Sequence, residues 1–110
     1  MADAVLDASA LLAFLNDEPG AETVAEALPN AVISALNLSE VVAKLSGGGM
    51  PENAVRQALA PLGLAVIPFD EAQAYEAGFL RSATKGAGLS VGDRGCLGLA
   101  RQMALPALTA

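Results

Sequence analysis

Three carboxylates stand where this chain could do chemistry. Asp7 closes the apolar run of "AVLDAS", Glu40 sits within "NLSEVVAKL", and Asp93 lies in "GLSVGDRGCLGLA". The chain has no histidine. That removes imidazole acid–base catalysis, serine triads and most zinc sites in one step. Carboxylates, hydroxyls, lysine or a hard metal remain. Hard cations such as Mg²⁺ or Mn²⁺ take oxygen ligands from a few carboxylates plus water. A site of that kind activates water and stabilises the charge of a phosphodiester transition state without an imidazole.

Each acid also has an ordinary reading. Asp7 precedes "ASALLAFL", and aspartate is a favoured helix N-cap. In the helix around Glu40, the stripe Leu38, Val41, Val42 and Leu45 is expected to face the core. Glu40 then falls on the opposite side, with Lys44 four residues on as a surface partner. Asp93 differs. At about 100° per residue it aligns with Leu97 and Ala100, at the edge of an apolar side made by Cys96, Leu97, Leu99, Ala100 and Met103. A carboxylate at such an edge needs compensation from backbone amides or from a cation.

The elements that must position these acids alternate. Short apolar runs, "AVL" (4–6), "AVIS" (31–34) and "LAVIP" (64–68), read as strands, and "PALTA" as the beginning of another. Between them lie helical segments: 8–15, then 21–28 stopped by Pro29, then about 36–46 ended by "GGG". A further helix starts at Pro51 with a stripe of Ala54, Val55, Ala58, Leu59 and Leu62, ending at Gly63. "DEAQAYEAGFLRSA" is helical, "TKGAG" is a flexible loop, and Ser90 can cap a helix over about 91–104. Strands separated by helices predict a parallel, doubly wound sheet. Ligands bind such sheets beyond the carboxyl ends of the strands, and Asp7 ends the first strand.

The bulk properties narrow the choice. With 110 residues the chain is expected to form one domain, and 54% hydrophobic against 16% charged residues predicts elements buried on both sides. The net charge of −6 argues against a simple electrostatic nucleic-acid binder, though not against a nuclease whose acids are neutralised by metal. No apolar stretch reaches the roughly 18 residues of a membrane span. A start without basic residues and a lone Cys96 favour a cytoplasmic protein.

The segments "AVLDASALLAFLNDEP", "VISALNLSEVVAKL", "VIPFDEAQA" and "GLSVGDRGCLGLARQMALPALTA", in that order and spacing, resemble a PIN-domain protein of the VapC toxin type. The resemblance runs over essentially the whole chain. It implies a three-layer α/β sandwich around a central parallel sheet, and a single PIN-like domain over 1–110. It also implies a metal-dependent endoribonuclease, the toxin of a toxin–antitoxin pair, with RNA as substrate, an antitoxin protein as partner and a homodimer as the assembly. By matched motif, Asp7, Glu40 and Asp93 are the acids that bind Mg²⁺ or Mn²⁺. Ser9 matches a hydroxyl that supports the metal site, and a helix-start hydrogen bond to backbone explains it equally well. Arg94 and Lys85, near Asp93 in sequence, are candidates for phosphate contact or plain surface charges.

The pattern departs from the family in two places. Members usually continue past the "LTA" strand to a fourth acid and a further helix and strand, so the sheet is expected to be truncated at its C-terminal edge. That leaves a catalytically weak PIN-like protein, binding antitoxin or RNA, as the alternative. Gly92, Gly95 and Gly98 also stand where bulkier residues or alanine are more usual. They imply either close helix packing or a less stable site helix.

Overall fold

The computed structural model describes residues 2–110. Four strands, β1 (Ala4–Leu6), β2 (Ala31–Ser34), β3 (Ala65–Ile67) and β4 (Ala107–Leu108), form one sheet in the order β3-β2-β1-β4. Every pairing is parallel, with Val5 beside Val32 and Ala107, Leu6 beside Ile33 and Leu108, and Ile33 beside Val66. The expected last strand is therefore present as an edge beside β1. The chain builds β1 to β3 in one direction and then crosses back to β4. The order thus reverses at β1, and that reversal opens a crevice at the strand's carboxyl end.

Among the described residues there are six α-helices: α1 (Ala8–Leu15), α2 (Ala21–Ala27), α3 (Ala35–Gly47), α4 (Glu52–Leu59), α5 (Glu71–Ala83) and α6 (Val91–Met103). The two-residue period of the strands sorts the core into two layers. Leu6 and Ile33 point to one face and pack with Ala10, Leu11, Val24, Val41, Leu45 and Val55 of α1 to α4. Val5 and Val32 point to the other and pack with Cys96, Leu99 and Ala100 of α6. Helix α5 lies against α6 and buries Ala77 and Leu80. All four residues of β2 are buried, as a central strand's must be.

Several local expectations shift. Pro29 does not simply stop a helix; it sits inside a 3₁₀ turn over Leu28–Asn30. The stripe that ends in Leu62 is α-helical only to Leu59 and finishes as another 3₁₀ turn, Ala60–Leu62. The "TKGAG" segment also contains a 3₁₀ turn, Lys85–Ala87. Helix α6 ends in a left-handed Ala104, a conformation that alanine adopts at a cost. No helix among the described residues is long and apolar enough to cross a membrane.

Candidate metal centre

Asp7 follows β1 directly and is 9% exposed. Its extended backbone makes it the N-cap of α1. One carboxylate oxygen, Oδ1, accepts from the Ala10 N–H at 2.9 Å and from the Ser9 hydroxyl at 2.7 Å. The Asp7 N–H donates to the Leu108 carbonyl at 3.1 Å, which ties the cap to β4. Ser9 Oγ in turn accepts from the Ala110 N–H at 3.1 Å. The cap and site readings of Asp7 are therefore compatible, because the cap uses Oδ1 and no hydrogen bond from the described residues reaches Oδ2.

Glu40 is half-buried, and no ion pair joins it to Lys44; the ion pair among the described residues is the exposed Arg56–Glu52. The expected α3 face was rolled. Val42 is 37% exposed, and the buried stripe is Asn37, Val41 and Leu45. Asn37, 1% exposed, has no role assigned by the sequence pattern. Its Nδ2 donates to Glu40 Oε1 at 3.0 Å and to the Gly92 carbonyl at 3.0 Å, bridging α3 to the first turn of α6. Two acceptors around one nitrogen fix the orientation of the amide. Its Oδ1 is buried and has no partner. Gly92 makes the bridge possible, since a Cβ there would fall on the Glu40 carboxylate. The signal that could have found Asn37 was an amide in register with Val41 and Leu45, one turn before an acid.

Asp93 is exposed, not half-buried as its helical position predicted. The buried face of α6 is Gly92, Gly95, Cys96, Gly98, Leu99 and Ala100, and Leu97 points outward with Asp93. Asp93 completes a capping box: its Oδ2 accepts from the Ser90 N–H at 3.0 Å, and its own N–H donates to Ser90 Oγ at 3.1 Å. The other glycines of α6 serve close packing. A Cβ on Gly95 would lie 2.8 Å from Leu36 Cδ2, and one on Gly98 would lie 3.4 Å from Glu76 Cβ in α5.

Despite these separate duties the three acids share a space. Asp7, Ser9, Asn37, Glu40 and Asp93, with Lys44, line one cleft of about 220 Å³ at the carboxyl end of β1. Their charges converge on the Cys96 thiol beneath. Burial pushes that thiol up to about 12, with further upward contributions from Asp7, Asp93 and Glu40. Lys44 is exposed and lines the cleft wall without an ion pair to Glu40. Arg94 and Lys85 lie elsewhere, lining a neighbouring cleft. Asp70 also caps a helix after a strand, accepting from the Gln73 N–H at 3.0 Å, but it is exposed and outside this cleft.

Residues 4–110 match the family model of the PIN domain. The chain belongs to the PIN domain family. The same fold occurs in a toxin–antitoxin complex from Klebsiella pneumoniae, at a TM-score of 0.76 and 24% identity, covering 97% of this PIN domain and 85% of that chain. The DNA-bound VapBC from Salmonella typhimurium is similar at a TM-score of 0.71 and 22% identity, covering 99% and 86%. VapBC2 from Rickettsia felis, bound to a DNA fragment from their promoter, is similar at 0.75 and 18%, covering 96% and 85%. At these identities the likeness shows the fold. No curated protein matches the sequence significantly.

The fold family implies a divalent metal at this cleft. The chemistry of the donors fits: three carboxylates and an unpartnered amide oxygen are hard ligands, suited to Mg²⁺ or Mn²⁺ rather than to a soft metal. Each carboxylate commits one oxygen to the protein, and no hydrogen bond from the described residues reaches the other. Among the described residues no three His, Cys, Asp or Glu side chains are gathered tightly enough to enclose an ion as they stand. Exposed Asp93, held only by its own helix cap, is the acid with most freedom to turn.

Proposed function

We propose that this PIN domain is a metal-dependent endoribonuclease, the toxin of a toxin–antitoxin pair of the VapC type. The observation that carries the reading is that Asp7 at the start of α1, Glu40 in the second turn of α3 and Asp93 in the first turn of α6 line one cleft where the strand order reverses. Asp7, Glu40 and Asp93 would hold Mg²⁺ or Mn²⁺. When bound, the ion lowers the pKa of a coordinated water and offsets negative charge on the phosphodiester.

The remaining work falls to the chain itself. Ser9 and the Ala10 N–H hold Asp7 Oδ1 in place, which leaves Oδ2 to face the cleft. Asn37 holds Glu40 Oε1, and Gly92 leaves the room that carboxylate occupies. Lys44, on the cleft wall, is placed to meet a phosphate oxygen as a mobile point charge. No side chain of the cleft is an imidazole, so proton transfer there belongs to water and carboxylates.

Toxin–antitoxin complexes among the similar structures support an antitoxin partner. An antitoxin protein, a second copy of this chain and an RNA strand are the partners proposed, in the cytoplasm. A second reading, a catalytically weak domain that binds antitoxin or RNA, has one observation in its favour: each acid already engages its own helix. Cleavage of RNA with Mn²⁺ and with chelator, by this chain and by Asp93→Asn, separates the two. Metal-dependent cleavage lost in the variant supports the nuclease. Equal residual activity in both leaves the binding reading.

A further inference from the structure

A second cleft, of about 450 Å³, lies beside the first and is lined by Arg81, Ser82, Thr84, Lys85, Gly88, Leu89 and Arg94. Three of the chain's six basic residues meet there, and no acid is among its lining residues. The molecule as a whole carries −6, so this is a concentration of positive charge against the global trend. Nor is the charge spent internally: the ion pair among the described residues is Arg56–Glu52, remote in sequence from this cleft. Arg94 Nε does donate to the Ser90 carbonyl, at 3.4 Å, which holds the stem of that side chain at the start of α6. Thr84 Oγ1 donates to the Leu80 carbonyl, which orders the end of α5.

The position of the cleft gives the charge a direction. Arg94 directly follows Asp93, so the first turn of α6 is the shared wall between acid cleft and basic cleft. The two remaining cations come from the last turn of α5 and the segment after it. A polyanion crossing the first turn of α6 would leave a metal-compatible carboxylate cleft and enter one with three cations and two hydroxyl-bearing residues.

We propose that this cleft is a subsite for the phosphodiester backbone of a single RNA strand, holding phosphates that flank the one at the acid cleft. The inference rests on the nuclease reading and deepens it. Lys85 and Arg94 do not face the scissile phosphate; with Arg81 they grip the strand to one side. Arg94 and Arg81 supply planar, multiply donating guanidinium groups, and Lys85 a mobile point charge. The contacts are to backbone, so they position the strand without selecting bases.

The test separates binding from cleavage. Anisotropy of a labelled single-stranded oligoribonucleotide is measured in chelator, over a range of salt, for this chain, for Arg81→Ala, Lys85→Ala and Arg94→Ala combined, and for Arg81→Lys. Three phosphate contacts predict a slope of log K on log salt of about −2, hence about a 20-fold loss of affinity between 50 and 200 mM salt. The triple variant is expected to lose that slope and at least about tenfold in affinity at the lower salt, and Arg81→Lys to keep the slope. Because Arg94 bonds the Ser90 carbonyl, the Arg81→Ala and Lys85→Ala pair is run alongside; both residues are exposed, and circular dichroism checks its fold. Affinity and slope unchanged in both variants, with cleavage by the parent chain intact, overturn the subsite alone. A parent chain that neither binds nor cleaves RNA overturns the subsite together with the nuclease reading. A basic cleft that instead takes an acidic peptide, with RNA failing to compete, also overturns it.

Discussion

The most informative residues of this PIN domain are two that carry no charge. Asn37 and Gly92 together seat Glu40: one donates to its carboxylate, and the other vacates the space it fills. Removing the amide breaks its bonds to the Glu40 carboxylate and to the Gly92 carbonyl, a net loss of about 1–3 kcal/mol when one partner is charged. Asn37→Ala should therefore lower the melting temperature and, separately, weaken Mn²⁺ binding by about 10- to 100-fold, the usual effect of losing a group that orients a ligand. Gly92→Ala should behave differently. Its methyl group displaces only the flexible end of Glu40, so stability should change little while cleavage falls; equal loss of both would mean Gly92 matters only for packing. Cys96 gives a third expectation. Its thiol is raised from 9.0 to about 12 and is 2% exposed, so it should resist alkylation at pH 8 in the folded chain and react at once in denaturant. Below pH 9 the thiol is neutral whether the chain is folded or not; between 9 and about 12 the unfolded chain sheds the proton first, so stability falls as pH rises through that window.

At the scale of elements, helix starts do double duty. Asp7, Ser34, Asp70 and Ser90 each cap a helix through a side-chain oxygen, and two of those caps involve an acid of the cleft. Ser90→Ala should cost about 1 kcal/mol through the lost cap. It also removes the hydroxyl bond to the Asp93 N–H, so metal affinity can move together with melting temperature, and titration of both on one sample tells whether the box positions Asp93. Here the limits of sequence reasoning are clear. The strands were legible because short apolar runs bounded by breakers admit little else, and Asp7 was legible because it follows one. The faces of α3 and α6 were not. Helix α6 packs through Gly92, Gly95 and Gly98, which have no side chain and leave no trace in a hydropathy pattern, so Asp93 was read one face too deep. Helix α3 buries an amide for a partner 55 positions away, a contact that no local window contains.

For the molecule as a whole, charge is segregated rather than abundant. An acid cleft and a basic cleft share the first turn of α6 in a chain of net −6. Long-range attraction for RNA is therefore weak, and binding should depend on local contacts and fall steeply with salt. The fold places both clefts by topology: the reversal of strand order at β1 puts Asp7 at the crevice, and the return through α5 and α6 carries Arg81, Lys85, Asp93 and Arg94 to its rim. We propose that Asp7, Glu40 and Asp93 act as one metal site although each also serves its own helix. Calorimetric titration with Mn²⁺ tests it most directly, using this chain and the variants Asp7→Asn, Glu40→Gln and Asp93→Asn. One Mn²⁺ per chain is expected, with a loss of at least about tenfold in affinity for each variant, of the size that even a ligand-orienting group contributes. Binding that survives unchanged in Glu40→Gln or Asp93→Asn, or no binding by the parent chain, would contradict it.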